Sequence, residues 1–97
     1  NPATQQMLEE AVQEPVPVLC LHGADDPFIP AESIQAFLDE MRGGVAAVEF
    51  VSFAGATHAF TRPEKVPGDA RQAFHPWAAR RAWATALQFI DDAFMLR

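Results

Sequence analysis

The sequence predicts an α/β fold, in which strands alternate with helices, two strands run parallel in a βαβ unit, and a last helix follows. Three observations lead there. Val16-Pro17-Val18-Leu19-Cys20-Leu21 is an unbroken apolar run, as in a strand covered on both faces of a parallel sheet; a strand with one wet face would alternate. A clear helical period comes next, and a second β-rich stretch follows it.

The elements can be justified in order. Residues 4–13 fit a short helix, with Thr4 as its cap and Met7, Leu8, Ala11 and Val12 along one stripe; Pro15 and Pro17 close it. After the apolar run, His22-Gly23-Ala24-Asp25-Asp26-Pro27 supplies turn chemistry, since Gly, Asp and Pro each favour a chain reversal. Ile34, Phe37, Leu38 and Met41 then recur at i, i+3, i+4 and i+7, the spacing of one helix face. Pro30 suits the first turn of that helix and Gly43-Gly44 suits its stop. Residues 46–53 are β-rich and partly alternating, as in a strand nearer a sheet edge. Residues 54–75 lack any period and hold Gly55, Pro63, Pro67 and Gly68; a loop this long in a small domain is commonly functional or disordered. Pro76 opens the final helix, with Ala79, Trp83, Ala86, Leu87, Ile90 and Phe94 as its apolar stripe.

Composition narrows the functional classes. The 97 residues amount to one small domain or a piece of a larger one, with 49% hydrophobic and 21% charged residues and a mean hydropathy of −0.03. No window approaches the ~18 consecutive apolar residues of a membrane span, and no secretory leader is recognisable. Thirteen acidic against seven basic residues give a net charge of −6, which argues against nucleic acid or an anionic membrane as partner. One cysteine, Cys20, excludes an intramolecular disulfide and a thiolate-rich zinc cage, so a reducing, cytoplasmic setting is expected.

The topology brings chemistry to one edge. Parallel strands joined by a crossover finish at the same end of the sheet, where open α/β folds place their ligands. The loop after the first strand carries Asp25 and Asp26, and the loop after the second carries His58. A carboxylate and an imidazole meeting there can work as orienter and general base. Plainer readings stand beside this one: Asp26 as a turn residue and His58 as a solvated loop histidine. Asp25 reads as a turn-shaping residue, His22 as a structural histidine and His75 as a helix-start residue. Cys20, Phe37, Phe50 and Phe89 read as core, and Trp77 and Trp83 as packing anchors. A metal held by His22, Asp25, Asp26 and His58 finds no support in spacing, because no i,i+4 histidine pair is present.

Leu21-His22-Gly23-Ala24-Asp25-Asp26-Pro27-Phe28-Ile29-Pro30, followed by Gly55-Ala56-Thr57-His58-Ala59-Phe60, resembles the C-terminal half of a dienelactone hydrolase family member of the α/β-hydrolase superfamily. That resemblance covers nearly the whole chain. It implies a nucleophile, acid and histidine in that chain order, with Gly23-x-x-Asp26 placing the acid at Asp26 and the histidine at His58. It also implies hydrolysis of a carboxylic ester or lactone through an acyl-enzyme, with no metal or organic cofactor. An arginine four residues past the histidine, here Arg62, would hold a substrate carboxylate; its plainer alternatives are a solvated loop arginine or a partner for Glu64.

One departure counts against a self-sufficient enzyme. The family's nucleophile stands on a Gly-x-Cys-x-Gly or Gly-x-Ser-x-Gly elbow, and no such pentapeptide occurs in these residues. The expectation is therefore that residues 1–97 form the C-terminal segment of an α/β-hydrolase domain, incomplete as a stand-alone fold. An upstream half or a second chain would fill an open sheet edge and supply the nucleophile. The alternatives are a non-catalytic remnant or truncated fragment that pairs with another chain, and a different α/β-hydrolase subfamily such as a peptidase or acyl-transfer enzyme.

Overall fold

A computed structural model describes residues 1–13, 15–63 and 68–95, with backbone only for 8–13. The order is α1 (Pro2–Gln13), β1 (Val16–Gly23), α2 (Ala31–Arg42), β2 (Ala46–Phe53), a 3₁₀ turn (Ala70–Gln72) and α3 (Pro76–Met95). β1 and β2 pair in parallel, in register from Val16 opposite Ala46 to Gly23 opposite Phe53. The βαβ unit and the final helix are thus both present, in a partial α/β fold. Among the described residues the sheet has only these two strands.

α1 begins earlier than its expected cap. Asn1 Oδ1 accepts from the Thr4 backbone N–H at 2.9 Å, so Asn1 caps the helix and Pro2 occupies its first position, where the missing N–H costs nothing. Met7 is exposed; the rest of the stripe expected on this helix, Leu8, Ala11 and Val12, lies outside the described side chains.

Pro30 stands one residue outside α2, in extended conformation with ψ 158, and its carbonyl accepts from Ser33 and Ile34. The anticipated face of α2, with Ile34, Phe37, Leu38 and Met41, is half-buried throughout, and α2 lies against β2. Alternate strand residues point to opposite faces. Leu21 and Phe53 therefore share one face, where they pack against the core cluster of Ala56, Phe60, Ala78 and Ala82. His22 and Phe50 share the other, with ring centroids 5.5 Å apart.

α3 corrects the expected burial. The helix meets β1 through its smallest residues, Ala78, Ala79 and Ala82, which are buried. The large residues Trp83, Leu87, Ile90 and Phe94 are 50–85% exposed. Two apolar stripes with the same period run along this helix, roughly a third of a turn apart. Alanine lets the helix backbone approach the sheet closely, so that stripe docks and the bulky one faces outward. Trp77 and Trp83 are accordingly not packing anchors, at 69% and 60% exposure.

Cover is also thinner than expected elsewhere. In β1 only Gly23 is buried, and Cys20, Phe37, Phe50 and Phe89 are half-buried. The chain measures 60 × 30 × 19 Å with a radius of gyration of 17.3 Å, against about 12–13 Å for a compact domain of this length. Two strands and two flanking helices do not enclose a full core.

The segment after β2 is ordered by backbone bonds rather than by a period. Ala24 N–H donates to Phe53 O and Asp25 N–H to Ala56 O, each at 2.9 Å, so the parallel ladder continues past the strand ends into both loops. Gly23 makes this possible. A Cβ there would lie 2.4 Å from Thr57 O and 2.7 Å from Ala56 O. At the other end of the segment, His75 Nδ1 accepts from the Ala78 N–H at 3.1 Å and its own N–H donates to Phe60 O. His75 thereby caps α3 and ties it to the loop.

Two outcomes follow. Gly23→Ala should destabilise by about 1–3 kcal/mol, because main chain rather than a flexible side chain must move; a urea midpoint equal to wild type would contradict the close crossing. His75→Ala should cost about 1 kcal/mol through loss of the cap, and His75→Asn should recover most of it in the same unfolding measurement.

Candidate active site

Asp26 lies in the turn that leaves β1. Its N–H donates to Gly23 O at 3.0 Å, and its Oδ1 accepts from the Phe28 N–H at 2.8 Å, the local bond by which aspartate stabilises a turn. Its Oδ2 lies 3.0 Å from His58 Nδ1. The Asp26 side chain is 7% exposed and that of His58 is 46% exposed. An ionised carboxylate only accepts, so the contact suits an imidazole with its proton on Nδ1, the tautomer that leaves a lone pair on Nε2. The acid is tucked beneath the ring and the ring is open to an incoming group.

The main chain around His58 is held by the 3₁₀ turn. Its N–H donates to Arg71 O at 3.1 Å, and Thr57 Oγ1 accepts from the Ala73 N–H at 2.9 Å. Ala59, next along, has φ 54, the one non-glycine residue with positive φ among those described. Alanine pays about 1–2 kcal/mol for that conformation, which turns the chain back so that the Arg62 N–H reaches Ala59 O.

Phe28 stands edge-on to the His58 ring with centroids 5.0 Å apart. The Arg71 guanidinium lies 5.1 Å from the Phe28 centroid. Asp69 fixes Arg71 through Oδ1 to Nε at 3.0 Å and Oδ2 to a terminal nitrogen at 3.1 Å. The Arg71 side chain and then its backbone N–H hold the Asp69 carboxyl down at about 2, below the usual 3.8, while Asp69 raises Arg71. Because the folded value is the lower one, the stabilisation from this pair is present above the usual carboxylate range and is lost only as pH falls through about 2.

A cavity of about 380 Å³ opens beside the pair, where the end of β1, the His58 loop and the Ala82, Trp83 and Ala86 face of α3 converge; Asp26, His58 and His22 all line it. The structure therefore brings Asp26 and His58 together. Arg62 is exposed and outside the cavity lining, and Glu64, considered as its partner, lies outside the described residues. Asp25 is exposed and contributes its backbone N–H to the inter-loop bond. Among the described residues no three His, Cys, Asp or Glu side chains gather as a metal site, and no helix is long and apolar enough to cross a membrane.

Phe28, Thr57 and Arg71 escaped the sequence reading because their contacts come from turns without a period. The only signal was local: Phe28 is two residues past an aspartate in a turn, and Asp69-x-Arg71 is an opposite-charge pair at short range.

The dienelactone hydrolase family matches residues 2–94. An uncharacterized protein of Caenorhabditis elegans is 31% identical over 74 residues, 75% of this chain and 47% of that protein. A Salmonella typhimurium protein named "Putative carboxymethylenebutenolidase" is 33% identical over 73 residues, covering 75% of this chain and 25% of its own length. One of the same name from Escherichia coli is 28% identical over 88 residues, 91% and 30% respectively. The chain thus spans from a quarter to about half the length of these relatives. No solved structure matches significantly. With 93 of its 97 residues inside the family match, the chain belongs to the dienelactone hydrolase family.

Proposed function

We propose that this chain supplies the acid and histidine of a nucleophile–acid–histidine triad in a carboxylic ester or lactone hydrolase. The observation that carries the reading is the 3.0 Å contact between a nearly buried Asp26 carboxylate and Nδ1 of a half-exposed His58. Names of the bacterial relatives support the same class of reaction. A polypeptide segment outside these residues contributes the Cys or Ser nucleophile and fills a free sheet edge, making residues 1–97 the C-terminal segment of the domain.

The chemistry follows from the geometry. His58 Nε2 accepts the proton of the nucleophile as its oxygen or sulfur bonds to the carbonyl carbon of the substrate. Asp26 holds the tautomer that leaves Nε2 basic and stabilises the imidazolium. The proton passes to the leaving alkoxide as the ester C–O bond breaks, and an acyl-enzyme remains. Water, deprotonated by the same nitrogen, then attacks the acyl carbon; the bond to the nucleophile breaks, the nucleophile takes that proton back from Nε2, and the acid is released. No metal or organic cofactor enters these steps. Arg62, on the loop that carries His58, holds a carboxylate on the substrate. A reducing, cytoplasmic setting suits the free Cys20.

Joining this chain to a nucleophile-bearing upstream half, in cis or in trans, should give esterase activity on a p-nitrophenyl ester. In that assembly His58→Ala and Asp26→Asn should each lower kcat by about 10⁴-fold. Absence of activity in every pairing would favour the non-catalytic remnant instead. Arg62→Ala should raise KM for a carboxylate-bearing ester by about tenfold and leave a neutral ester nearly unchanged; equal effects on both would remove the carboxylate role from Arg62.

A further inference from the structure

We propose that Phe28 and Arg71 are positioning residues that clamp the His58 imidazole in its contact with Asp26. The inference rests on the triad reading for its catalytic meaning and on contacts within the chain for its physical content.

Those contacts form a closed circuit. Asp26 bonds the ring of His58 through Oδ2 and the backbone of Phe28 through Oδ1. The Phe28 ring then turns its neighbourhood back onto the same imidazole, 5.0 Å away and at 72°. Arg71 lies over the Phe28 ring and bonds the His58 backbone through its own carbonyl. Asp26 and Arg71 are thus each held by two of the others, and Phe28 and His58 by three. A histidine fixed only at Nδ1 can still swing about that hydrogen bond. An aromatic wall against the ring restricts the swing, and a cation on the wall fixes the wall.

The chemistry of the parts supports a specific role rather than general packing. Phe28 is 45% exposed, so its ring is not placed there for burial; it makes an aromatic contact with His58 and a cation contact with Arg71. The Arg71 side chain is 61% exposed, yet Asp69 grips it by both carboxylate oxygens. A planar guanidinium can stack on the ring and pair with a carboxylate at once, which an ammonium cannot do in the same geometry. Asp69 accepts further from the Arg71 N–H and from Gln72, so the anchor is itself anchored to the 3₁₀ turn.

Side-chain NMR of His58, in this chain assembled with the nucleophile-bearing upstream half, tests this without requiring activity. In the wild type, the ¹⁵N shifts should report the Nδ1–H tautomer, with slow exchange of that proton. Phe28→Leu and Arg71→Ala should each speed the exchange by about tenfold and move both nitrogen shifts toward tautomer averaging. Phe28→Tyr should restore wild-type behaviour. Asp69→Asn, which touches neither ring, should move the signals the same way by a smaller amount. Wild-type signals and exchange in both Phe28→Leu and Arg71→Ala would overturn the clamp. Altered signals together with no esterase activity in any pairing would leave the clamp standing and remove the triad reading, so the two failures are distinct.

Discussion

The parallel pairing of β1 with β2 is the constraint on which the rest depends. In a parallel pair both strands finish at one end, and here the ladder runs on past Gly23 and Phe53 through the bonds from Ala24 and Asp25. Two loops that are 32 residues apart at Asp26 and His58 are thereby laced together by main-chain groups. Side chains add only the last step. Asp26 folds back onto its own turn and aims its second oxygen at the ring. The 3₁₀ turn at Ala70–Gln72 holds the main chain around the histidine.

Much of this was legible in the residues. The run at 16–21, too short for a helix and bounded by proline and glycine, the i, i+3, i+4 face of α2 and the β-rich 46–53 stretch together identify a βαβ unit. Once strands are parallel, Asp26 and His58 must emerge at one edge. Burial was less legible. Periodicity says which residues share a helix face but not which of two apolar faces docks. On α3 the alanine stripe lies on β1 and Trp83, Leu87, Ile90 and Phe94 do not. The braces of His58 were hidden for another reason. Phe28, Thr57 and Arg71 act through turn bonds and ring contacts between segments, and such contacts leave no repeat in a single chain.

The exposed face of α3 and the elongated outline give the family membership a structural meaning. The chain carries the paired Asp26 and His58, together with an apolar stripe and a sheet edge that its own described elements do not cover. Such a surface is large for a protein of this size. It makes association a matter of covering apolar area as well as of completing chemistry. Under the triad proposed above, the segment that covers the sheet would also bring the nucleophile, and catalytic assembly would be coupled to folding stability.

Gly23 carries a consequence for how the site tolerates change. The carbonyls of Ala56 and Thr57 rest against the place where a side chain would begin. The spacing of the two loops is therefore set by the van der Waals radii of main-chain atoms, common to all residue types. Repacking of Leu21, Phe53 or the alanines of α3 alters how firmly the layers hold, while the reach from carboxylate to imidazole stays gauged by peptide groups. Drift in the core is thereby uncoupled from the alignment of the acid and the base.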